Sequence, residues 1–161
     1  MVIRPRRRGL LPTRGWLAGM SAVKDALARG VNVVHRTLFD VSKGKVAGSA
    51  LGMPVLKLTT TGAKSGQPRT VMLTSPLEVD GNPVIVASYG GDDRSPAWFH
   101  NVVANPQVEV TMQGSTRTMT ARVPDAAERD TLWEQLTAKH DNYAGYQTKT
   151  DRTIPVVVLE R

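Results

Sequence analysis

The chain has no cysteine, which excludes a disulfide framework, thiolate zinc sites and a cysteine nucleophile. It also lacks any apolar run near the ~18 residues that a membrane-spanning helix needs. Neither a Gly-x-Ser-x-Gly elbow nor a His-Glu-x-x-His motif is present. The three histidines have no metal-ligand spacing, so no metal site is predicted. With 161 residues the chain can still bury a core, and these absences favour chemistry carried by a bound organic cofactor.

Positive charge is concentrated in residues 1–14, which contain five arginines and no acidic residue. The rest of the chain carries 16 basic and 14 acidic side chains, so the excess charge belongs mainly to this end. The high isoelectric point therefore does not indicate a specific nucleic-acid partner. We interpret residues 1–14 as a basic flexible tail that either contacts an anionic membrane surface or is simply solvated.

Residues 15–45 are predicted to be an N-terminal helical segment. Apolar residues recur with helical spacing between Trp16 and Val41, with an interruption at Gly30. The apolar stripe either covers the domain's own core or, following the arginines, lies at a membrane interface. A cytoplasmic protein is expected, with peripheral attachment to the inner face of the cell membrane as the alternative to a freely diffusing one.

Residues 46–161 change to the two-residue period of β-strands. Alternation predicts strands at Val55–Thr60, Thr70–Val79, Val84–Ser88, Gln107–Gln113, Thr116–Val123 and Ile154–Leu159. A helix is predicted over Pro96–Ala104 with Ser95 as its N-cap. A second helix begins at Asp125 and ends near His140, and the residues from there to 152 are predicted to be a loop. Strands joined by hairpins predict a mainly β fold with peripheral helices, as a small closed or split β-barrel.

The segment from Leu56 to Arg69 leads from an alternating strand into a turn rich in cations. Gly62 and Gly66 can adopt positive φ, which would leave backbone N–H groups free to bind an anion beside Lys64 and Arg69. The turn is not a Walker loop, because no Gly-Lys-Ser/Thr follows the glycines at the required spacing. From these residues alone, a cationic hairpin turn without a ligand remains the alternative.

An ordered series of motifs extends over about residues 50–161. Its members are Leu58–Arg69, Ala87–Gly91, Pro96–Trp98, Asn101, Ala104–Pro106 and Thr150–Pro155. As a series they resemble the deazaflavin-dependent nitroreductase family, whose fold is a split β-barrel like that of flavin reductases and FMN-binding proteins. Members of this family use reduced coenzyme F420. The resemblance therefore implies an oxidoreductase that transfers a hydride from this cofactor to an electron-poor small molecule such as a quinone, an activated alkene or a nitro compound.

The resemblance also implies a set of cofactor-binding residues. They are Lys64, Ser65, Gly66, Gln67, Pro68, Arg69, Ala87, Ser88, Tyr89, Gly90, Gly91, Trp98 and Asn101. Lys64 and Arg69 match positions near the cofactor's phosphate and acidic tail, which agrees with the anion-binding interpretation of this turn. The segment from Ser88 to Gly91 matches one that passes close to the deazaflavin ring. Trp98 is either a residue flanking the cofactor or a core residue.

On the substrate side, the resemblance implies a pocket formed by Thr74, His140, Tyr143 and Tyr146. Tyr143, Tyr146 and Ser88 are the candidate proton donors. This chain departs from the well-known nitroreductase branch at Thr74 and His140, where that branch has aromatic residues, and at Tyr89, where it has a lysine. These changes fall mainly on the substrate side, so cofactor use is implied while reduction of bulky nitroimidazoles is not.

Two other functions fit the same residues. One is a non-catalytic module that binds a deazaflavin or flavin as a carrier or sensor, and the other is a reductase that uses FMN in the same barrel. The pocket tyrosines favour an enzyme, and the motif series favours the deazaflavin.

Overall fold

The computed structural model of the protein describes residues 49–50 and 52–161. The predicted tail at 1–14 and most of the chain before the barrel, including the helical segment at 15–45, lie outside these residues. Within them the elements in chain order are β1 (Ser49–Ala50), β2 (Met53–Thr61), β3 (Pro68–Thr74), β4 (Leu77–Val79), β5 (Asn82–Val86), α1 (Ala97–Ala104), β6 (Gln107–Met112), β7 (Ser115–Arg122), α2 (Ala126–Lys139), α3 (Asp141–Gln147) and β8 (Val156–Glu160).

The strands form one antiparallel sheet around an apolar interior. Neighbouring strands follow the order β1-β2-β6-β7-β8-β5-β4, and β3 pairs with β2. Alternate residues of β2, β5, β6, β7 and β8 face the same buried cluster, and α1 adds Trp98 and Val102 to it. Because strands from across the sheet share one interior, the predicted split β-barrel with peripheral helices is confirmed.

Helix α2 packs on a second apolar cluster through Leu132, which meets β4, β5 and β8. Its predicted N-cap is confirmed, since the Asp125 carboxylate accepts the backbone N–H of Glu128 at 2.9 Å. Arg122 of β7 donates to Glu128 at 2.6 Å and to Glu160 of β8 at 2.6 Å. The hydrogen bond from Arg122 lowers the pKa of Glu128. These contacts fix the start of α2 against the sheet.

The predicted strand Thr70–Val79 is wrong in one respect, because the structure divides it into β3 and β4. The Ser75 N–H still bonds in register to the Pro54 carbonyl of β2 at 2.8 Å, and its hydroxyl donates to the Leu77 carbonyl at 3.1 Å. Pro54, which lies opposite Ser75, has no N–H to return a second bond. Pro76 follows and has no N–H for a ladder bond. Together with the two-residue β1, this break gives eight strands in the described residues where six were predicted.

Two local predictions about helices are also wrong. Ser95 does not cap α1; Pro96 occupies the cap position, and its carbonyl accepts the Phe99 N–H at 3.0 Å. The predicted loop after His140 contains helix α3. Burial of Tyr143 beside residues of β2 and α2 stabilises this helix, a long-range contact that local polarity does not indicate.

Candidate active site

The loop between β2 and β3, residues 62–67, is closed by its own hydrogen bonds. The Gly62 N–H donates to the Gln67 carbonyl at 2.9 Å, and the Gly66 N–H donates to the Gly62 carbonyl at 2.8 Å. The Gln67 N–H donates to Ser65 Oγ at 3.3 Å. These bonds engage three of the loop's six backbone N–H groups, so the loop offers an anion fewer backbone donors than its glycines indicate. The capacity of the loop to bind an anion lies mainly in its side chains.

Asn101 of α1 clamps this loop to the barrel. It is 8% exposed, and its Nδ2 donates to Thr60 Oγ1 at 2.9 Å. Its Oδ1 accepts the Ala63 N–H at 3.0 Å. The Thr60 hydroxyl in turn donates to the Arg69 carbonyl at 3.2 Å. Both ends of the Asn101 amide are thus engaged by the loop and its flanking strands, so the structure gives this residue a positioning role.

The cations of the loop face solvent. All residues from Lys64 to Arg69, including Pro68 at the start of β3, are exposed. The Arg69 guanidinium lies 3.5 Å from Ser65 Oγ. In the part of the chain that the structure describes, neither Lys64 nor Arg69 forms an ion pair with a carboxylate. Two unpaired cations and a hydroxyl are a donor set suited to a phosphate or carboxylate.

A tight turn follows β5 and carries the second group of predicted residues. Backbone φ is positive at Tyr89 (48°), Gly90 (68°) and Gly91 (85°). The Gly91 N–H closes the turn on the Ser88 carbonyl at 2.9 Å. A Cβ on Gly91 would lie 2.6 Å from the carbonyl oxygen of Tyr146, so this glycine lets the turn approach α3 closely.

Helix α3 places two tyrosines beside this turn. The Tyr143 side chain is 5% exposed, and its hydroxyl lies 3.3 Å from Thr74 Oγ1 and 3.8 Å from Met53 Sδ. Burial raises the pKa of Tyr143, an effect that the hydrogen bond with Thr74 opposes. The phenol therefore keeps its proton at neutral pH. The half-buried Tyr146 ring meets Tyr143 edge-on, with centroids 5.8 Å apart.

The other predicted pocket residue, His140, borders the same cluster. Its ring lies 6.4 Å from that of Tyr143, and its Nε2 is 3.1 Å from the Pro76 carbonyl, to which it can donate. The structure thus brings together Thr74, His140, the two tyrosines and the turn after β5. The cationic loop lies at the opposite end of β3, and the five-residue separation of Arg69 and Thr74 corresponds to roughly 16 Å of extended strand.

Trp98 belongs neither to the cationic loop nor to the cluster around the two tyrosines. Its side chain is 7% exposed and packs in the barrel interior with Ala87 and Ile85. This position supports the core interpretation of the residue. A cavity of about 450 Å³ is lined by Met112, Arg117 and thirteen other residues, none of which is a predicted site residue, although Pro76 in its wall accepts the contact from His140.

Sequence reasoning assigned no role to Arg152, although the motif Thr150–Pro155 contains it. In the structure its guanidinium donates to backbone carbonyls on both sides of the turn after β5. Those carbonyls lie 60 to 65 residues earlier in the chain, so only the motif itself could have drawn attention to this residue.

A family model described as F420H(2)-dependent quinone reductase matches residues 33–161. The chain belongs to this family. It is therefore an oxidoreductase that uses coenzyme F420 to reduce quinones, which confirms the predicted cofactor and enzyme class. The alternative of a non-catalytic carrier or sensor loses its support.

Relatives of this reductase agree with the family. An F420H(2)-dependent quinone reductase of Mycobacterium tuberculosis is 41% identical over 132 residues, which cover 80% of this chain and 88% of that protein. The solved structure of an F420-H2 dependent reductase, FDR-A, is 44% identical, with a TM-score of 0.59 over 66% of this chain and 94% of that one. A solved domain-swapped dimer is 40% identical, with a TM-score of 0.61 over 80% and 96% of the two chains.

None of the helices in the described part of this reductase is both long and apolar enough to cross a membrane.

Proposed function

We propose that the two ends of β3 bind the two ends of coenzyme F420. The β2–β3 loop would hold the phosphate and acidic tail, and the turn after β5 together with α3 would hold the ring and the quinone. The observation that carries this assignment is the roughly 16 Å of strand that separates Arg69, which forms no ion pair within the described residues, from Thr74 at the tyrosine cluster. A long cofactor with an anionic tail and a flat ring needs one group of residues for the tail and another for the ring, separated by the length of the cofactor.

The loop fits an anionic tail because its available donors are cationic or neutral. Lys64 supplies a compact ammonium, and Arg69 supplies a planar fork that matches phosphate or carboxylate oxygens. Ser65 adds a hydroxyl next to Arg69. Since residues 63–69 are exposed, water and salt screen these interactions, and binding of the tail should weaken as ionic strength rises.

The turn after β5 fits the edge of a flat ring. Positive φ at three successive residues bends the backbone sharply, and both Tyr89 and Gly90 remain exposed. Gly90 has no Cβ to prevent close approach of a ring to its backbone. Ser88 is half-buried and places a hydroxyl at the same turn.

Reduced coenzyme F420 supplies a hydride when it is bound. Two-electron reduction of a quinone also consumes a proton, and Tyr143, Tyr146 and Ser88 are the donors we assign. Tyr143 is suited to this role because its raised pKa keeps it protonated and Thr74 fixes its hydroxyl. The more accessible Tyr146 ring can stack on a flat acceptor and orient it. Enones and nitro compounds are further acceptors that this arrangement would admit.

A fluorescence titration of the full-length protein with coenzyme F420, beside FMN, tests the cofactor assignment. We expect Lys64→Ala and Arg69→Ala each to weaken F420 binding roughly ten-fold, or about 1.4 kcal/mol, while Arg117→Ala, an exposed arginine on β7, leaves it unchanged. Oxidation of reduced F420 by menadione then measures turnover. A preference for FMN, or equal binding by all three variants, would contradict the assignment.

We further infer that residues 46–161 are the cofactor-binding domain and that the basic residues before it contact anionic membranes. The five arginines among residues 1–14 and the apolar spacing after them support this proposal. Flotation of the full-length protein with anionic liposomes tests it, with a variant in which those five arginines are glutamines as control. Flotation of neither protein would refute the proposal, as would equal flotation of both.

A further inference from the structure

Arg152 lies in the segment between α3 and β8 and binds three carbonyls of one turn. Its Nε donates to the Asp92 carbonyl at 2.8 Å. Its Nη2 donates to the carbonyls of Ala87 at 3.0 Å and Ser88 at 2.9 Å. These carbonyls flank the positive-φ residues at 89–91, so one guanidinium holds both ends of the turn at a fixed separation. A lysine ammonium does not have this planar fork.

The segment that carries Arg152 is itself held in place. Gln147, the last residue of α3, donates through Nε2 to the Arg152 carbonyl at 2.8 Å and accepts the Ile154 N–H at 3.1 Å. Arg129 of α2 donates to the Ile154 carbonyl at 2.9 Å. The position of the guanidinium is therefore set by the same helix that carries Tyr143 and Tyr146.

This arrangement places part of the guanidinium away from solvent. Among the described residues, Arg152 Nη1 is buried without a hydrogen-bond partner. Burial lowers the pKa of Arg152, and the nearby carboxylates of Asp92 and Asp93 act in the opposite direction. An unsatisfied buried donor destabilises a fold. A smaller neutral side chain would leave the carbonyls of Ala87, Ser88 and Asp92 without this donor, so the contribution of Arg152 is explained by how it holds the turn.

We propose that Arg152 is a positioning residue, which fixes the turn after β5 against α3 so that its backbone and the two tyrosines keep one relative placement. The inference rests on the proposed function, in which this turn and these tyrosines hold the cofactor ring and the quinone. Loosening the turn should misplace reacting groups by an ångström or so, and misplacement of that size lowers rates by up to about a hundred-fold.

The test compares full-length Arg152→Lys with Arg122→Lys. Arg122 also forms forked contacts, to Glu128 and Glu160, but it touches no residue of the proposed site. Thermal melting, F420 binding, menadione kinetics and amide hydrogen exchange without cofactor are measured for both. We expect Arg152→Lys to lower kcat about ten- to a hundred-fold and to speed exchange at residues 87–92. Arg122→Lys should lower the melting temperature but keep kcat and this exchange at the wild-type level.

Chemical rescue provides a second measurement. Added methylguanidine should restore part of the kcat of Arg152→Ala and slow exchange at residues 87–92. If Arg152→Ala does not fold, the Arg152→Lys comparison still decides the question. Wild-type kcat and wild-type exchange in Arg152→Lys would overturn the proposal. It would also be overturned if Arg122→Lys lost as much kcat as Arg152→Lys when the two variants were destabilised equally. If wild-type protein neither binds F420 nor reduces menadione, the proposed function fails, whereas the exchange measurement still tests how Arg152 holds the turn.

Discussion

Replacing Asn101 by aspartate changes one nitrogen to oxygen at the clamp between α1 and the β2–β3 loop. Asn101 Nδ2 donates to Thr60 Oγ1 at 2.9 Å, while the single hydroxyl proton of Thr60 goes to the Arg69 carbonyl at 3.2 Å. A carboxylate oxygen in this position would face an oxygen whose proton is already engaged. Asn101→Asp therefore replaces a buried hydrogen bond by a contact between two acceptors.

The expected loss follows from these contacts. A lost hydrogen bond costs about 1 kcal/mol and an unsatisfied buried group about 1–3 kcal/mol, so the free energy of unfolding should fall by roughly 2–4 kcal/mol. For a chain of this size that corresponds to a drop in melting temperature of roughly 6–15 °C. The buried carboxyl should have a folded pKa above its ordinary value of about 3.9. The folded state then binds the proton more tightly, so the loss grows as pH rises above about 4.

Thermal and urea denaturation at pH 5 and pH 8 would measure both effects. Asn105→Asp, at the end of the same helix, makes the same chemical change at an amide that is half-exposed, and it should cost less than about 1 kcal/mol. F420 affinity should fall in Asn101→Asp because the cations on the loop lose their fixed placement. Equal losses in the two variants, or a loss in Asn101→Asp that is not smaller at pH 5, would refute the clamp.

Three further predictions concern other contacts. Tyr143→Phe should lower kcat with menadione roughly 10- to 100-fold, while the free energy of unfolding changes by only about 1 kcal/mol, because the ring stays in its cluster and only the hydroxyl's contacts with Thr74 and Met53 are lost. Gly91→Ala should lower the urea midpoint strongly, because its Cβ would meet a backbone carbonyl at 2.6 Å and φ is 85°. Glu128→Gln should lower the melting temperature at pH 7, and this difference should vanish as pH falls through the lowered pKa of Glu128 in the folded state, since Arg122 then loses its charged partner.

Each of these predictions has a comparison variant in the chain. Ser88→Ala removes another of the assigned proton donors, so the larger loss of kcat in it or in Tyr143→Phe indicates which of the two hydroxyls supplies the proton. Gly66→Ala has a similar positive φ but open space around its Cβ, so it should cost only about 1 kcal/mol. Glu134→Gln, exposed on the same helix as Glu128, should show no such pH dependence. A Gly91→Ala variant as stable as Gly66→Ala would contradict the close approach of α3.

Much of the barrel could be predicted from sequence because its signals are local. Alternation gave most strands to within two residues at each end, and the spacing of Asp125 and Glu128 gave the start of α2. The failures have non-local causes. The pairing of β3 with β2 ends at Ser75 because its partner Pro54 has no N–H to donate, and Pro76 follows with none either. Helix α3 forms because Tyr143 finds a buried position against residues far away in the chain.

In the candidate site, too, the features with local sequence signals could be predicted and those that depend on long-range contacts could not. The cations of the β2–β3 loop are visible in its composition, as is the glycine turn after β5. The clamp by Asn101 joins residues 41 positions apart, and the contacts of Arg152 cross 60 or more. Neither could be predicted from the local pattern, since nothing in a sequence states which distant group an amide or guanidinium will reach. The loop has fewer free N–H groups than its glycines indicate for a local reason, because it bonds three of the six to its own carbonyl and hydroxyl oxygens.

Strand β3 sets a fixed length between its two ends. Seven ladder pairs with β2 hold its register, so Arg69 cannot move toward Thr74 without breaking that pairing. A strand held in this way fixes the distance between the two binding groups, so only a cofactor of matching length would contact both. A deazaflavin truncated before the phosphate could then reach the tyrosines without meeting the cations, and it would lose affinity while keeping its intrinsic reactivity. Selectivity for tail length would therefore be adjustable at one end of the strand without altering the chemistry at the other.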